Sequence, residues 1–329
     1  MRATGYRRTG GPDVLELVEL PVPRPGPGQV LIKVVFAGVN FAEIYYRRGA
    51  GHAPDPDGEP SVPGLEAAGH VVEVGAGVTG LRPGDPVAAL THAAAGATGG
   101  YAEYAVAPDE LVYPLPRGVE LSAAAALPCV LTTAYGLLTV AGLATGETVL
   151  VHGAAGGVGS AAVQVARALG AGTLIGTVGR PDKIEYARQL GYDQVFLRAE
   201  FADRIADLPG PGVDIALDGV GGPTRVRNLD VLAPLGRLVV FGDPGQGDDL
   251  AVSTNRLWFE AKAVLGFNIG ELAAKTPSTV RRMALAALRL LADGRVDMAV
   301  AEVFPLDRAA DAHRLLESGR STGKILLAL

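Results

Sequence analysis

A glycine-rich turn between an apolar run and a helical run constrains the fold of this chain more than any other feature. Residues 148–152 form a short apolar run, a turn with four glycines fills residues 153–159, and residues 158–169 have the composition of a helix. Glycine lets a pyrophosphate approach the backbone, and the start of a helix presents N–H groups and a partial positive charge. The junction therefore predicts a dinucleotide-binding βαβ unit, although Ala154 replaces the usual first glycine.

Strand-like and helix-like segments alternate after this junction. Such alternation is typical of a parallel sheet, whose strands are apolar throughout because both faces are covered. We therefore predict a doubly wound α/β domain. Its further strands are predicted at 173–178, 195–197, 213–217, 238–241 and 264–269, and its helices at 182–190, 201–208 and 224–232.

The first third of the chain has a different pattern, with short β-rich runs between glycine and proline turns. These runs, at 30–37, 70–74 and 86–90, favour a barrel or sandwich. The last sixty residues are too few to form a domain alone, so we expect them to complete one of the other two. They are predicted to contain a helix at 279–292, a strand at 299–304, a helix at 307–317 and a strand at 324–329.

Composition excludes several classes of protein. The 329 residues suggest two domains, and 29 Lys+Arg against 35 Asp+Glu leave no basic excess for binding nucleic acid. One cysteine, Cys129, excludes a disulfide framework, and the five histidines lack the close pairing of zinc ligands. The uncharged residues 121–146 are interrupted by proline and glycine, so a buried helix is expected there and not a membrane span. No secretory signal is recognisable at the N-terminus, so a cytoplasmic enzyme is expected.

The end of the second predicted strand indicates which dinucleotide binds. An NAD site usually has an acidic residue there for the ribose 2′-hydroxyl. This chain has none, and Arg180 and Lys183 follow instead. Cations attract a 2′-phosphate, so the sequence predicts NADPH. The alternative is that both cations are solvated residues at the start of the next helix.

Six motifs, in order along nearly the whole chain, resemble the zinc-free quinone oxidoreductases (zeta-crystallin-like) of the medium-chain dehydrogenase/reductase superfamily. The motifs are Gly11-Pro12-Asp13-Val14-Leu15, Gly38-Val39-Asn40-Phe41, Pro63-Gly64-Leu65-Glu66-Ala67-Ala68-Gly69, Gly84-Asp85-Pro86-Val87, Gly100-Tyr101-Ala102-Glu103-Tyr104 and the turn at 153–159.

The resemblance implies an α/β fold with two domains. A GroES-like β-barrel domain is expected at 1–122 and 271–329, and an inserted Rossmann domain at 123–270. The active site is expected in the cleft between them, and a homodimer is expected through the edge strand near 264–269. Zinc-binding members carry Cys and His where this chain has Asn40 and Leu65, so the resemblance implies no metal.

The resemblance also implies site residues. Asn40 and Tyr45 match cleft residues, and Tyr45 is expected to donate a proton or hydrogen bond to the substrate oxygen. The alternatives are a turn-closing Asn40 and a structural core Tyr45. Arg198 stands where some relatives have a tyrosine on the 2′-phosphate. Including Arg180 from the charge argument, the predicted cofactor-binding residues are Thr133, Gly156, Gly157, Val158, Thr177, Gly179, Arg180, Lys183, Arg198, Phe241, Gly242, Phe267, Asn268, Ile269 and Lys324.

The expected function is metal-independent, NADPH-dependent reduction of a quinone or another conjugated carbonyl. One alternative is an enoyl or enone reductase in a biosynthetic pathway, although the tyrosine that many relatives have near Gly51 is missing. The other is an NADPH-binding structural or regulatory protein without turnover. The predicted partners are a small-molecule substrate and a second copy of the chain, with no nucleic acid and no membrane. Arg47 and Arg48 are expected to be solvated cations at a helix end.

Overall fold

The computed structural model describes residues 1–50, 54, 58–91, 99–244 and 251–329. These residues form two compact units. The first comprises Met1–Thr132, Ile269–Ala292 and Met298–Leu329, and the second comprises Thr133–Asn268 and Asp293–Asp297. These units reflect how the chain packs and do not define domain limits. The limits expected from the sequence, 1–122 with 271–329 and 123–270, stay a prediction. Gly51 and most of the proline-rich segment that follows it lie outside the described residues.

Within the described part of the chain, strands and α-helices have the following bounds. The strands are β1 (Arg2–Gly5), β2 (Glu16–Glu19), β3 (Gln29–Val39), β4 (Glu66–Val74), β5 (Pro86–Leu90), β6 (Tyr104–Pro108), β7 (Val112–Pro114), β8 (Val149–His152), β9 (Leu174–Val178), β10 (Gln194–Leu197), β11 (Val213–Asp218), β12 (Leu232–Val240), β13 (Ala263–Gly266), β14 (Val300–Pro305) and β15 (Lys324–Ala328). The α-helices are α1 (Phe41–Arg48), α2 (Leu121–Ala124), α3 (Thr132–Val140), α4 (Gly157–Ala168), α5 (Ile184–Gln189), α6 (Phe201–Ala206), α7 (Pro223–Val231), α8 (Thr254–Phe259), α9 (Ile269–Lys275), α10 (Pro277–Ala292) and α11 (Ala309–Glu317).

The first unit is built on a mainly antiparallel sheet in the order β14-β15-β3-β4-β5-β7, with β6 also pairing with β3. β3 carries the sheet, because it pairs with β4, β6 and β15 along its eleven residues. Two register shifts in its pairing with β4 allow the strand to bend. The β-rich character predicted for the first third of the chain is confirmed. The tail returns to this sheet through β14 and β15.

The second unit contains a six-stranded, all-parallel sheet in the order β10-β9-β8-β11-β12-β13. Numbered along this sheet, the strands follow the order 3-2-1-4-5-6, which is that of a doubly wound dinucleotide-binding fold. All residues of β8 and β9 are buried, which explains why these segments are mainly apolar, with His152 and Thr177 as the polar exceptions. The predicted fold class is confirmed here.

Two predicted segments differ from the structure. The strand predicted at 264–269 ends at Gly266, because Phe267 N–H makes a last bond to Val240 O (2.9 Å) and Ile269 begins α9. The uncharged residues 121–146 form α2, a π-type turn at Leu127–Leu131 and α3 in place of one long helix. Among the described residues, no helix combines the length and apolarity needed to cross a membrane.

A buried polar chain connects α11 to α1 in the first unit. His313 accepts a hydrogen bond at Nδ1 from Arg47 (3.3 Å), and its Nε2 lies 3.1 Å from the Tyr101 hydroxyl. Arg47 also pairs with Glu317. Arg47, Tyr101 and His313 are fully buried. The expectation that Arg47 is solvated is wrong, because this helix end packs against α11, whereas Arg48 is exposed.

Because His313 is buried next to Arg47, we predict that the stability of the protein depends on pH. Burial and the Arg47 charge lower the pKa of His313 to about 3, from an ordinary value of 6.5. The stability from neutral His313 is complete above pH 6.5 and falls as the pH drops toward 3, because only the unfolded chain takes up the proton. We expect a loss of about 1.4 kcal/mol per pH unit in that window. Because Glu43 titrates in the same pH range with the opposite effect, the loss is measured by denaturant unfolding at pH 6.5 and 5 as the difference between wild type and a variant that lacks the imidazole.

His313→Gln, which cannot titrate, is the control for this prediction. The difference in unfolding free energy between wild type and variant should shrink as the pH falls from 6.5 to 5. A difference that stays constant would show that His313 is protonated in the folded protein.

Candidate functional site

Four polar side chains form a buried cluster in the first unit, which we call the Lys324 cluster: Asn40, Glu43, Glu66 and Lys324. Glu43, Glu66 and Lys324 are at most 2% exposed, and Asn40 is half-buried. The Lys324 ammonium lies 2.7 Å from Glu66 Oε1, 2.6 Å from Asn40 Oδ1 and 2.9 Å from Val39 O. Ile325 pairs with Val39 in the β15–β3 ladder, and this register brings Lys324 to the start of α1.

Glu66 occupies a site made for a carboxylate. Its Oε2 accepts from the N–H groups of Cys129 (2.7 Å) and Val130 (3.4 Å), at the start of the helical segment where such groups lack intrahelical acceptors. Gly38 provides the space, because a Cβ built there would lie 2.4 Å from Glu66 Oε1. The glycine of the Gly38-Val39-Asn40-Phe41 motif is therefore required by the carboxylate that packs against it.

The orientation of the Asn40 amide follows from its neighbours. The ammonium of Lys324 only donates, so it faces Oδ1. The Asn40 amide nitrogen then donates to Glu66 Oε1 (3.1 Å) and Glu43 Oε1 (3.3 Å). The structure therefore directs both amide N–H groups to carboxylates. In this arrangement Asn40 orients Lys324 and two acids, and its predicted contact with substrate or cofactor stays a prediction.

Glu43 caps the first turn of α1. Its carboxylate accepts from the N–H groups of Asn40 (2.8 Å) and Leu65 (2.9 Å), which ties the helix start to the segment before β4. Burial raises the pKa of Glu43 to about 7, although the Lys324 charge and these hydrogen bonds act in the opposite direction. Its ionisation therefore lowers stability as the pH rises from 4.5 to about 7, opposite in sign to the effect of His313.

The Lys324 cluster does not suit a zinc ion. Zinc prefers thiolate and imidazole ligands, whereas Asn40 and Leu65 offer neither. The oxygens of Asn40 and Glu66 already contact the Lys324 ammonium, whose charge would repel a divalent cation. No group of three or more metal-binding side chains occurs in the portion of the chain that the structure describes. Metal independence itself stays a prediction.

Tyr45 lies on α1 two residues after Glu43. Its ring packs edge-on against Phe41, with ring centroids 5.8 Å apart, and its hydroxyl oxygen is buried. The next residue, Tyr46, is 41% exposed. Tyr45 therefore lies on the helix that Asn40 precedes and whose first turn Glu43 caps.

In the second unit, most predicted cofactor residues follow the carboxyl ends of the parallel strands. This edge is where doubly wound sheets bind their ligands. Gly156, Gly157 and Val158 follow β8, and Gly156 is the residue before the twelve-residue helix α4. Gly159 allows the turn to be tight, because a Cβ there would lie 2.3 Å from Gly153 O. The turn thus offers helix N–H groups to an anion and fits a dinucleotide pyrophosphate.

The loop after β9 carries the cations predicted to bind a 2′-phosphate. Arg180 is exposed and pairs with Asp182 at 2.9 Å, an exposed pair of little energetic value that can exchange partners. Lys183 is half-buried, and desolvation lowers its pKa. The Arg198 guanidinium packs against Gly179, where a Cβ would lie 3.0 Å from Nη2. Thr177 is buried, with its hydroxyl 2.7 Å from His152 Nδ1, so it faces the interior.

The remaining predicted residues are divided between the units. Phe241 and Gly242 directly follow β12, and Phe267 and Asn268 follow β13, at the same edge of the sheet. Thr133 is buried in α3. Ile269 and Lys324 belong to the first unit, and Lys324 is in the buried cluster described above.

Three groups of buried residues were missed by the sequence analysis as parts of the site. Glu43 had a signal, since an acid three residues after Asn40 is the pattern of a helix cap. Glu66 lies within a quoted motif but was not assigned a role. Asn228 is hydrogen-bonded to His152 and to Asp218. No sequence signal separates Asn228 and Asp218 from surface residues.

Comparison with known proteins gives matches along the whole chain. Residues 26–117 match the family described as "Alcohol dehydrogenase GroES-like domain", and residues 157–287 match "Zinc-binding dehydrogenase". The expected GroES-like domain is confirmed by the first match. The name of the second describes a family that includes metal-binding members, whereas the residues of the Lys324 cluster do not suit zinc.

Similar proteins include a quinone oxidoreductase of Pseudomonas aeruginosa, 37% identical over 97% of this chain and 96% of that protein. A mycocerosic acid synthase-like polyketide synthase of Mycolicibacterium smegmatis is 34% identical over 98% of this chain, which corresponds to 15% of that much longer protein. Among solved structures, Escherichia coli quinone oxidoreductase complexed with NADPH is 31% identical, with a TM-score of 0.89 and full coverage of both chains.

Proposed function

The chain belongs to the zeta-crystallin-like quinone oxidoreductases of the medium-chain dehydrogenase/reductase superfamily, and on that premise we propose how its residues serve NADPH-dependent reduction of a quinone or another conjugated carbonyl. The observation that carries the assignment is the full-length match to a quinone oxidoreductase. The cofactor is NADPH, which supplies a hydride from its reduced nicotinamide when bound. The chain's own residues bind and orient this cofactor and meet the charge that develops on the substrate.

In this proposal the loop after β9 selects NADPH over NADH. The loop offers Arg180 and Lys183, and the guanidinium of Arg198, which follows β10, packs against Gly179 beside them. The tip of β9 itself has no carboxylate. Asp182 is paired with Arg180, so its charge is compensated. A 2′-phosphate forms charge-assisted hydrogen bonds with such donors, whereas the 2′-hydroxyl of NADH does not.

Lys183→Ala tests this selection. We expect NADPH affinity to fall by about 1.5–3 kcal/mol, or roughly 10- to 150-fold, with little change for NADH. Titration of both reduced coenzymes by fluorescence measures the effect. Arg188→Ala is the matched control, because it removes an exposed cation from α5 and should change neither affinity. An equal loss with both coenzymes would exclude a contact of Lys183 with the phosphate.

On the substrate side, we assign the proton or hydrogen bond to Tyr45. A carbonyl oxygen becomes anionic when the substrate accepts a hydride, and a phenol can donate to it. The Asn40 amide is engaged by Lys324 and two carboxylates, which supports a role in holding α1 in place. Glu43 fixes the first turn of the same helix and thereby the position of Tyr45.

Tyr45→Phe is therefore expected to lower kcat by about 10²-fold while leaving NADPH affinity nearly unchanged. Steady-state oxidation of NADPH with a quinone provides the rate. Tyr46→Phe, one residue away and more exposed, is the control and should retain the wild-type rate. An unchanged kcat in the Tyr45 variant would remove this hydroxyl from the chemistry.

A second candidate reaction is reduction of an activated C=C bond. The match to a polyketide synthase over 98% of this chain favours it. Product analysis with a conjugated enone distinguishes the two, because only C=C reduction gives the saturated ketone. A panel of quinones, enones and enoyl thioesters with NADPH would rank these substrates.

We also propose a homodimer through the edge of the parallel sheet. β13 is the last strand of the six, and Trp258 and Phe259 on the preceding helix are 73% and 77% exposed. An edge strand beside exposed aromatic side chains favours pairing with a second copy. A sedimentation mass near 33.7 kDa, that of one chain, would contradict the dimer.

The proposed cytoplasmic location agrees with the single cysteine, and cell fractionation tests it.

A further inference from the structure

A chain of three buried hydrogen bonds and one ion pair crosses the ligand-binding edge of the parallel sheet, and we call it the Asn228 chain: Thr177, His152, Asn228, Asp218 and Arg225. His152 lies 2.7 Å from the Thr177 hydroxyl through Nδ1 and 2.7 Å from Asn228 Oδ1 through Nε2. Asn228 Nδ2 donates to Asp218 Oδ2 (3.3 Å), and Arg225 Nε lies 3.8 Å from the same oxygen. The first four residues are at most 3% exposed.

The chain runs sideways along neighbouring strand ends. Thr177, His152 and Asp218 lie at the carboxyl ends of β9, β8 and β11, which are adjacent in the sheet. Asn228 and Arg225 come from α7, and Arg225 Nη2 donates to Gly242 O (2.7 Å) just after β12. One series of contacts therefore connects the ends of four consecutive strands.

The protons of this chain can be assigned from its chemistry. The Asp218 carboxylate only accepts, so the amide nitrogen of Asn228 faces it and the amide oxygen faces His152. His152 then carries its proton on Nε2, and Nδ1 accepts from the Thr177 hydroxyl. Burial lowers the pKa of His152, in agreement with a neutral ring. Each of the three hydrogen bonds from Thr177 to Asp218 thus has one donor and one acceptor.

The chain also shapes the loops beyond the strands. Asp218 Oδ1 accepts from Val220 N–H (2.7 Å) and Gly221 N–H (3.0 Å). A Cβ on Gly219 would lie 2.6 Å from the Phe241 ring, so the loop after β11 is packed tightly against the loop after β12. A shift of Asp218 would therefore move the stretch at Phe241 and Gly242. At the other end of the Asn228 chain, Thr177 lies just before the loop with Arg180 and Lys183, which we call the 2′-phosphate loop.

We propose that Asn228 is a positioning residue for NADPH. It joins His152 to Asp218 and so keeps the 2′-phosphate loop and the loop at Phe241–Gly242 in the relative position that the bound cofactor requires. This inference rests on the proposed function. Asn228 is fully buried, and its hydrogen bonds lead toward the cofactor loops through His152 and Asp218. Buried polar side chains are costly unless every partner is present, so loss of the central link affects both halves of the chain.

The test is a double-mutant cycle on NADPH affinity with Asn228→Leu, Thr177→Val and both together. Each single variant should weaken binding about tenfold, and the double variant should lose little more, because both interrupt one chain. Leu229→Ala is the matched control, since Leu229 is a buried core neighbour on α7 outside the chain. It should lower stability and leave NADPH affinity unchanged. Asn228→Ser provides the same comparison if the leucine variant does not fold.

A second readout does not depend on the cofactor. Nitrogen-15 NMR of the histidine side chains should show neutral His152 with its proton on Nε2 in the wild type, and a loss of this preference in the Asn228 variants. Additive losses in affinity, or an equal loss in Leu229→Ala, would overturn the positioning role. A wild type that binds no NADPH would instead refute the proposed function, while the NMR result would still decide whether the Asn228 chain exists as assigned.

Discussion

Lys324→Met is expected to lower the free energy of unfolding by about 3–5 kcal/mol, because it leaves the Glu66 carboxylate without its counter-ion in the core. Both side chains are almost fully buried, so water cannot replace the lost ammonium. The amide oxygen of Asn40 and the carbonyl of Val39 lose the same donor. Denaturant unfolding at neutral pH measures the change, and quinone reduction should fall with it as α1 loses an anchor.

Two further sets of variants test whether the loss comes from breaking a buried ion pair. Lys275 and Glu271 also form an ion pair at 2.7 Å, but both are exposed, and Lys275→Met should leave stability unchanged within error. Glu66→Gln combined with Lys324→Met removes both charges and should recover part of the loss. If the double variant is as unstable as the sum of the two single variants, the pair does not act as a unit.

Gly159→Ala is expected to reduce kcat/KM for NADPH by about 10²-fold, because the turn that receives the pyrophosphate cannot keep its position. The new Cβ would lie 2.3 Å from Gly153 O and 2.7 Å from Ala154 Cα, so the backbone itself must shift. Overpacking of this kind also lowers the free energy of unfolding by about 1–3 kcal/mol. Steady-state rates at varied NADPH concentration measure the first effect, coenzyme titration gives the affinity, and denaturant unfolding measures the second effect.

Other glycines separate steric crowding from contact with the cofactor. At Gly266 a Cβ meets no atom within 4 Å, so Gly266→Ala should be neutral. At Gly156 the nearest atom is Gly153 O at 3.3 Å, so Gly156→Ala should fold while hindering the approach of a pyrophosphate. Wild-type affinity for NADPH in Gly159→Ala would show that the turn is not the phosphate site.

The second unit was the more predictable part from sequence. Its strands are buried on both faces, so they remain visible as mainly apolar runs, and the glycine turn marks the first of them. The position of Arg180 and Lys183 after β9 was also predictable, and their contact with a phosphate stays a prediction. That Thr177 faces His152 was not predictable, since residue spacing does not fix where a hydroxyl points.

The buried charges of the first unit were not predictable from the sequence. Lys324 meets Asn40 only through the pairing of β15 with β3, a register that no local pattern specifies. Arg47 looks like any helix-end cation until α11 covers it and supplies His313 and Glu317. Such long-range partners leave no periodic signal, which is why Arg47 was expected to be solvated and the pairing of Lys324 with Glu66 was not predicted.

The pairing of Glu66 with Lys324 has a consequence for the newly made chain. All residues of the second unit, the last at Asp297, lie between these two in sequence. Because synthesis proceeds from the N-terminus, the doubly wound sheet is complete while Glu66 still awaits its cation. We therefore expect the dinucleotide-binding half to mature first on the ribosome, with the half that carries Tyr45 closing only after β15 has been synthesised.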